Sequence, residues 1–252
     1  MYLTTQGLVL RVSDYNDHDA LLTLLTREYG RLTVKARGLR RKNSPLVAPC
    51  QLLAYGEFTL FEYRGMYTIN EAHSIELFHG LRKDLVRLSL GTYFAQVAEL
   101  VSQEDTPGSE LMSLTLNCLF ALCSATSSEE KIKAVFELRC ACLSGYTPDL
   151  SGCHVCGNLT PDRFHISAGL LECAGCRGDA TETIRMPLLP GTLDCMRYIV
   201  RCDARSLFRF TASAATMRQL AQVTEVYLTT QLEKSFSTLD FYKSLIYDPL
   251  DT

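Results

Sequence analysis

Apolar and polar residues alternate with a period of two through much of the first 80 residues. The clearest case is residues 31–37, where Leu32, Val34 and Ala36 share one face of a predicted strand and polar side chains occupy the other. Similar short runs lie at residues 8–12, 20–26, 52–63 and 66–78. Five short strands with no helix between them predict a small closed barrel of the OB type and argue against a parallel sheet.

From Lys83 onward the apolar residues follow the helical period instead. This pattern predicts helices at residues 84–102, 110–124 and 129–143, with Ser128 as the N-cap of the third and Ser144-Gly145 as its end. A longer helix is predicted from Ser213 to about Phe236. Four arginines at a spacing of four would share a helix face, but Cys202-Asp203 favours a break within this group, which comprises Arg197, Arg201, Arg205 and Arg209.

Two Cys-x-x-Cys pairs separated by sixteen residues, Cys153/Cys156 and Cys173/Cys176, are typical of a tetrahedral zinc site. A redox dithiol would need one such pair beside a βαβ pattern, and two disulfides would need an oxidising compartment. His154 or His165 would be able to replace one cysteine ligand, although four cysteines make this unnecessary. Four thiolates leave no open coordination position, so we expect one structural Zn²⁺.

These patterns together predict an α+β chain. A five-stranded OB-type barrel would occupy residues 1–80, and a helical domain would occupy residues 81–252, with the zinc-binding loop inserted at residues 150–180. Residues 163–166 and 169–171, between the two cysteine pairs, predict a small hairpin.

The composition is that of an ordinary globular protein, with 47% hydrophobic and 21% charged residues. No apolar run is long enough for a membrane span, and the N-terminus lacks the pattern of a signal peptide, so we expect a cytoplasmic protein with no membrane partner. The seven cysteines outside the two pairs are then expected to be buried free thiols.

The net charge of −3 is unevenly distributed. Residues 1–82 carry ten basic and eight acidic residues, whereas the rest of the chain carries fifteen and twenty. Six basic residues without an intervening acid fall within residues 31–42: Arg31, Lys35, Arg37, Arg40, Arg41 and Lys42.

This basic segment has two explanations. Lysine and arginine commonly protect an exposed edge strand, but an unmixed run on an OB-type barrel favours a track for nucleic-acid phosphates. Aromatic residues of the neighbouring strands would be able to stack on bases, although we expect most of them in the core: Tyr55, Phe58, Phe61, Tyr63 and Tyr67.

The chain resembles the RecO family of bacterial recombination and repair mediators. The resemblance runs through the whole chain in the family's order, and it is carried by residues 7–11 with Tyr15 and Asp19, residues 26–30, 36–38 and 143–153, and the second cysteine pair after Gly169. It implies an N-terminal OB fold, a helical domain and a structural zinc finger with Cys153, Cys156, Cys173 and Cys176 as ligands.

The resemblance also implies the function. Members bind single- and double-stranded DNA, anneal complementary strands and, with RecR, assist recombinase loading on DNA coated by single-strand-binding protein. In some members the helical domain takes the C-terminal tail of single-strand-binding protein. The family's basic barrel surface corresponds to the six basic residues of 31–42, and localisation would be cytoplasmic, at the nucleoid during repair.

Other classes of function are less well supported by the sequence. It has neither a G-x-x-x-x-G-K-[ST] phosphate loop nor an H-E-x-x-H motif, so we expect no catalysis and no small-molecule substrate. Asp14, Asp17 and Asp19 are typical of a polar turn, although such a cluster would also suit a cation. The alternative function is a scaffold whose helical domain binds partners with only weak DNA contact.

Overall fold

The computed structural model describes residues 1–176 and 184–246. Residues 177–180 of the predicted zinc-binding loop and residues 247–252 of the predicted helical domain lie outside this range. The chain forms two compact units. Unit 1 comprises Met1–Ala125 and Phe236–Thr252, and unit 2 comprises Thr126–Ser235.

The first five strands close into a barrel in the order β1-β2-β3-β5-β4, which confirms the predicted fold. They are β1 (Tyr2–Asp14), β2 (Ala20–Thr26), β3 (Gly30–Ala36), β4 (Tyr55–Tyr63) and β5 (Met66–Glu76). Neighbours are antiparallel except β3 and β5, which pair in parallel at Val34↔Tyr67 and Lys35↔Thr68. The barrel is therefore not a parallel sheet, as predicted, although it contains this parallel contact. Strand directions cannot alternate all the way around a closed ring with an odd number of strands.

The inner faces of the strands form the barrel core. Leu32, Val34 and Ala36 are buried there as predicted, beside Phe58 and Leu60 of β4. The sequence pattern thus places the polar residues of β3 on the outer wall of the barrel.

Unit 1 also contains the helices α1 (Leu85–Val101), α2 (Ser109–Ser124) and α6 (Ser237–Ile246). Helix α1 begins after Asp84, whose carboxylate accepts hydrogen bonds from the backbone N–H groups of Val86 and Arg87. It packs against β1 and against α6.

Unit 2 contains α3 (Glu129–Leu143), α4 (Pro190–Arg201), α5 (Ala214–Gln231) and a small sheet. Its four strands lie in the order β6-β8-β7-β9, with β6 (Asp149–Cys153), β7 (Arg163–His165), β8 (Leu170–Glu172) and β9 (Arg185–Pro187). Strands β7 and β8 form the predicted hairpin. Helix α3 begins after Ser128, whose hydroxyl accepts from the Lys131 N–H, and this confirms the predicted cap.

The C-terminal helices differ from the prediction. Instead of one helix reaching Phe236, α5 ends at Gln231 and a separate α6 follows. Glu233 adopts φ +49°, and the N–H groups of Glu233 and Lys234 donate to Thr230 and Thr229, which ends the helix. The predicted break among the arginines is confirmed, because α4 ends at Arg201. Within the described ranges, the helices are too short or too polar to cross a bilayer.

Candidate metal centre and candidate nucleic-acid surface

The four paired cysteines meet in unit 2. Cys153 ends β6, Cys156 lies in the turn that follows, and Cys173 and Cys176 lie immediately after β8. Their sulfur atoms all lie within 4.8 Å of one another, and the Sγ atoms of Cys156 and Cys173 are 3.9 Å apart. Bonds of about 2.3 Å to a tetrahedral zinc ion would put sulfur atoms about 3.8 Å apart. The cluster is thus able to bind a metal ion with little rearrangement.

Each cysteine pair is held by a local turn. The Gly157 N–H donates to the Cys153 carbonyl at 2.8 Å, and the Cys176 N–H donates to the Cys173 carbonyl at 3.0 Å. Gly157 has φ +73°, a conformation that other residues rarely adopt. Because these turns depend on nearby residues alone, the spacing in the sequence is enough to predict that the four cysteines meet.

Hydrogen bonds favour the thiolate form of one cysteine of the cluster, Cys153. The backbone N–H of Cys156 lowers the pKa of Cys153 to about 6. The Asn158 amide donates to the Cys173 sulfur at 3.2 Å, which favours its thiolate, but partial burial and the neighbouring Cys156 and Cys153 raise the pKa of Cys173 above its ordinary value. The pKa of Cys176 is raised to about 12, because it shares a proton with Cys156 and lies near the Cys153 charge. A bound cation would remove this repulsion, so metal binding would release protons.

The two histidines that were considered as alternative ligands lie outside the cluster. The His154 Nε2 atom faces the Glu172 carboxylate at 3.2 Å, and the His165 Nδ1 atom accepts a hydrogen bond from the Ala168 N–H. Glu172 is buried and also pairs with Arg185 at 2.9 Å. These contacts join the cysteine loop to the small sheet and leave the four sulfur atoms as the donor set.

The six basic residues of 31–42 lie along β3 and the loop that follows it. Three of them pair with carboxylates from elsewhere in unit 1: Arg31 with Glu104 at 3.6 Å, Lys35 with Asp19 at 2.9 Å, and Arg40 with Asp14. Two acids of the β1–β2 segment, Asp14 and Asp19, thus form ion pairs on the barrel wall. The predicted polar turn at Asp14, Asp17 and Asp19 agrees with this arrangement, since Asp14 ends β1 and Asp19 precedes β2.

Arg37, Arg41 and Lys42 are exposed, and within the described part of the chain none of them has an ion-pair partner. The Arg41 N–H donates to the Gly38 carbonyl at 3.1 Å, so a tight turn brings Arg41 back toward Arg37. Gly38 has φ +66°, and its N–H is held by the Asp19 carboxylate at 2.8 Å. The result is a group of free positive charges on a fixed turn.

The aromatic residues divide between the core and the surface. Phe58 is fully buried, whereas Phe61 and Tyr63 are exposed on the outer wall. Tyr2, which was not among the predicted aromatic residues, is paired with Phe61 across β1 and β4. Only its register with β4 identifies Tyr2, and no local pattern in the sequence carries that register.

Comparisons with known proteins cover nearly the whole chain. Residues 1–78 match the family model described as "Recombination protein O N terminal", and residues 82–240 match "Recombination protein O C terminal". A protein of Acetivibrio thermocellus named "DNA repair protein RecO" is 34% identical over 246 residues, which is 97% of either chain. Proteins of the same name are 29% identical in Alkaliphilus metalliredigens (97% of this chain, 100% of the relative) and 35% identical in Rubrobacter xylanophilus (77% and 78%).

Proposed function

The chain belongs to the RecO family of DNA repair proteins, and from this membership we propose that it acts as a DNA-binding recombination mediator without catalysis. It would bind single and double strands, anneal complementary strands and assist recombinase loading on DNA coated by single-strand-binding protein. The observation that carries this proposal is the basic outer wall of the barrel.

The charges of that wall support a phosphate track. Arg37, Arg41 and Lys42 are free to contact phosphates, because no acid in residues 1–176 or 184–246 forms an ion pair with them. Arg31, Lys35 and Arg40 would extend the track while remaining held by their carboxylate partners. Held side chains lose less conformational entropy on binding than free ones.

Annealing would follow from electrostatics. Two complementary strands repel each other through their phosphates, and a basic surface that holds both lowers this repulsion. Base pairing then supplies the specificity, so the protein needs no sequence-specific contacts. No nucleotide hydrolysis is required by such a mechanism.

We further propose RecR and the C-terminal tail of single-strand-binding protein as partners, and Zn²⁺ as the ion of the four-cysteine cluster. The zinc would be structural, because four thiolates fill a tetrahedral coordination sphere. It would stabilise a loop that buries little apolar surface of its own.

The test is annealing of two complementary oligonucleotides, both bare and coated with single-strand-binding protein, over a series of salt concentrations. Acceleration in both cases that declines with salt is expected. Acceleration on bare DNA alone would contradict the partner contact. No acceleration at low salt by folded, zinc-loaded protein, with tight binding of protein partners, would favour the scaffold function instead.

DNA affinity, measured over the same series of salt concentrations, tests the basic residues. Arg37→Ala and Arg41→Ala should each weaken binding and reduce the slope of log affinity against log salt on single strands by about 0.7. The matched control is Arg218→Ala, which removes an exposed positive charge from α5, outside the basic segment, and should leave affinity and slope nearly unchanged. Unchanged affinity and slope for the Arg37 and Arg41 variants would contradict this assignment of the site.

A further inference from the structure

A groove of about 330 Å³ lies on the outer wall of the barrel. It runs between the start of β1, the end of β4 and the start of β5, and Arg37 of the basic segment lines one part of it. Its apolar lining consists mainly of Tyr2, Phe61, Tyr63 and Met66.

Strand register explains why these side chains meet. Phe61 is paired with Tyr2 on one side and with Thr68 on the other, and Tyr63 is paired with Met66. Phe58 and Leu60 point into the core, so the alternating residues of β4 point outward. The rings of Tyr2 and Phe61 lie 5.2 Å apart, with an angle of 51° between their planes.

The exposure of this lining is unusual for large apolar side chains. Tyr2 is 62% exposed, Tyr63 is 60% exposed, Met66 is 45% exposed and Phe61 is 38% exposed. Isolated exposed apolar residues are ordinary, but a contiguous group on one wall indicates a binding surface.

Positive charge flanks the groove on two sides. The Arg64 guanidinium lies over the Tyr63 ring, 5.2 Å from its centre, and Arg37, in the turn that follows β3, lines the groove as well. Neither side chain forms an ion pair with another residue in the described ranges. The nearest acid in sequence, Glu62, accepts a hydrogen bond from the Gly65 N–H within the turn. The complementary ligand is therefore anionic and has flat apolar faces.

We propose that this groove binds the unpaired bases of a single DNA strand by stacking, with the phosphates on either side held by Arg37 and Arg64. The proposal rests on the proposed function and extends it to a specific strand chemistry. Every base has a flat face, so the groove would bind without strong sequence preference. Bases within a duplex are already stacked on one another, so a duplex would gain only the phosphate contacts.

The chain contains no tryptophan, which makes a fluorescent reporter possible. In Tyr63→Trp the single indole would occupy the groove. Its emission should be strongly quenched when oligo(dT) binds, because the indole stacks on bases. Addition of a blunt duplex of equal charge should leave the emission nearly unchanged. Quenching of equal size by duplex and single strand would overturn the proposal.

Substitutions separate stacking from charge. Phe61→Ala and Tyr63→Ala should each weaken oligo(dT) binding by about 5- to 150-fold. The salt slope should stay the same, because no phosphate contact is lost. Tyr63→Phe should retain most of the affinity. The matched control is Tyr29→Ala, an exposed tyrosine on the β2–β3 turn away from the groove, which should leave binding unchanged.

An abasic oligonucleotide, which has the same phosphates without bases, completes the test. It should bind more weakly than oligo(dT), and Tyr63→Ala should not weaken it further. If wild-type protein binds both DNAs equally and Tyr63→Ala leaves both affinities unchanged, the groove proposal fails but the proposed function stands. If wild-type protein binds no DNA at low salt, the proposed function itself fails. Loss of a protein dimer in Tyr63→Ala, with unchanged DNA affinity, would identify a second copy of the chain as the occupant and overturn the proposal.

Discussion

At the scale of single residues, Asp19 connects Lys35 of β3 to the turn at Gly38 that follows this strand. Its carboxylate accepts the Gly38 N–H at 2.8 Å and pairs with the Lys35 ammonium at 2.9 Å. The Gly38 hydrogen bond and the Lys35 contact both lower the pKa of Asp19 below its ordinary value of 3.8. The ionised carboxylate thereby fixes the turn that presents the exposed arginines.

We predict that Asp19→Asn lowers the free energy of unfolding at neutral pH and weakens DNA binding through a looser turn. A carboxyl group with a lowered pKa in the folded protein contributes stability above its unfolded pKa and loses it as the pH falls through the folded pKa. The difference between wild type and Asp19→Asn should therefore be constant near pH 7 and disappear in acid below pH 3.8. Urea unfolding across this range measures it.

The control for this prediction is Asp17→Asn, which removes an exposed carboxylate that forms no ion pair in the described ranges. It should leave the stability unchanged at every pH. A pH-independent difference for Asp19→Asn would mean that the carboxylate charge plays no part.

Residue-level predictions from sequence succeeded where the information was local. The alternation in β3 identified which side chains point into the core, because each strand residue points opposite to its neighbour. The ion-pair partners of β3 were not predictable, since Glu104 lies far along the chain from Arg31 and the partnership depends on tertiary packing. The same limit applies to Tyr2 beside Phe61.

At the scale of secondary-structure elements, helices α3 and α5 enclose a buried cluster of charged side chains. The Lys133 ammonium lies 2.9 Å from a Glu137 oxygen and 2.8 Å from a Glu225 oxygen. Thr224 donates its hydroxyl proton to the second Glu137 oxygen at 2.9 Å. Burial alone would lower the pKa of Lys133, but the two carboxylates raise it, so the side chain stays charged. The helical period of α3 did not reveal a buried lysine, because a charged residue is ordinarily predicted on the solvent face.

We predict that Lys133→Met destabilises the protein by about 3–5 kcal/mol, because it leaves the fully buried Glu137 without its cation. The double variant Lys133→Met with Glu137→Leu should recover most of this loss, since an apolar pair of similar volume carries no desolvation penalty. Urea denaturation of the single and double variants measures the coupling. Additive effects of the two substitutions would show that the charges act independently.

The cysteine loop was predictable because its information is short-range. Two tight turns fix the pairs, and the β7–β8 hairpin brings the second pair back to the first. The parallel contact of β6 with β8, which completes the approach, has no signal in the spacing.

We predict that the purified protein carries one zinc ion per chain and that a strong chelator lowers its melting temperature. Amide protons of β6, β7 and β8 should lose protection from exchange, because the metal supplies folding free energy to this loop. Cys153→Ser or Cys173→Ser should abolish stoichiometric zinc. Cys123→Ser, at a half-buried cysteine on α2 outside the cluster, should retain it. A zinc-free protein with full protection in these strands would contradict the structural role.

At the scale of the whole molecule, the chain leaves unit 1 after α2, builds unit 2 and then returns to unit 1 with α6. Phe236, Leu239 and Tyr242 are buried in that return. The predicted helix ran into this region because apolar spacing continues across the turn, whereas the positive φ of Glu233 and the hydrogen bonds of Glu233 and Lys234 separate the two helices. Local periodicity predicts an element, whereas the choice of the unit on which it packs depends on surfaces formed by distant residues.

This topology makes the stability of the barrel-containing unit depend on the last helix. The Phe236 ring lies 5.6 Å from the Tyr93 ring of α1 in an edge-to-face arrangement, and both side chains are buried. We predict that Phe236→Ala lowers the free energy of unfolding by about 3–5 kcal/mol, because it leaves a cavity against α1. The matched control is Phe241→Ala on α6, the helix that begins immediately after Phe236; Phe241 is 49% exposed, and the change should stay within about 0.5 kcal/mol. Equal effects of the two substitutions in urea denaturation would indicate that α6 contributes no specific packing to unit 1.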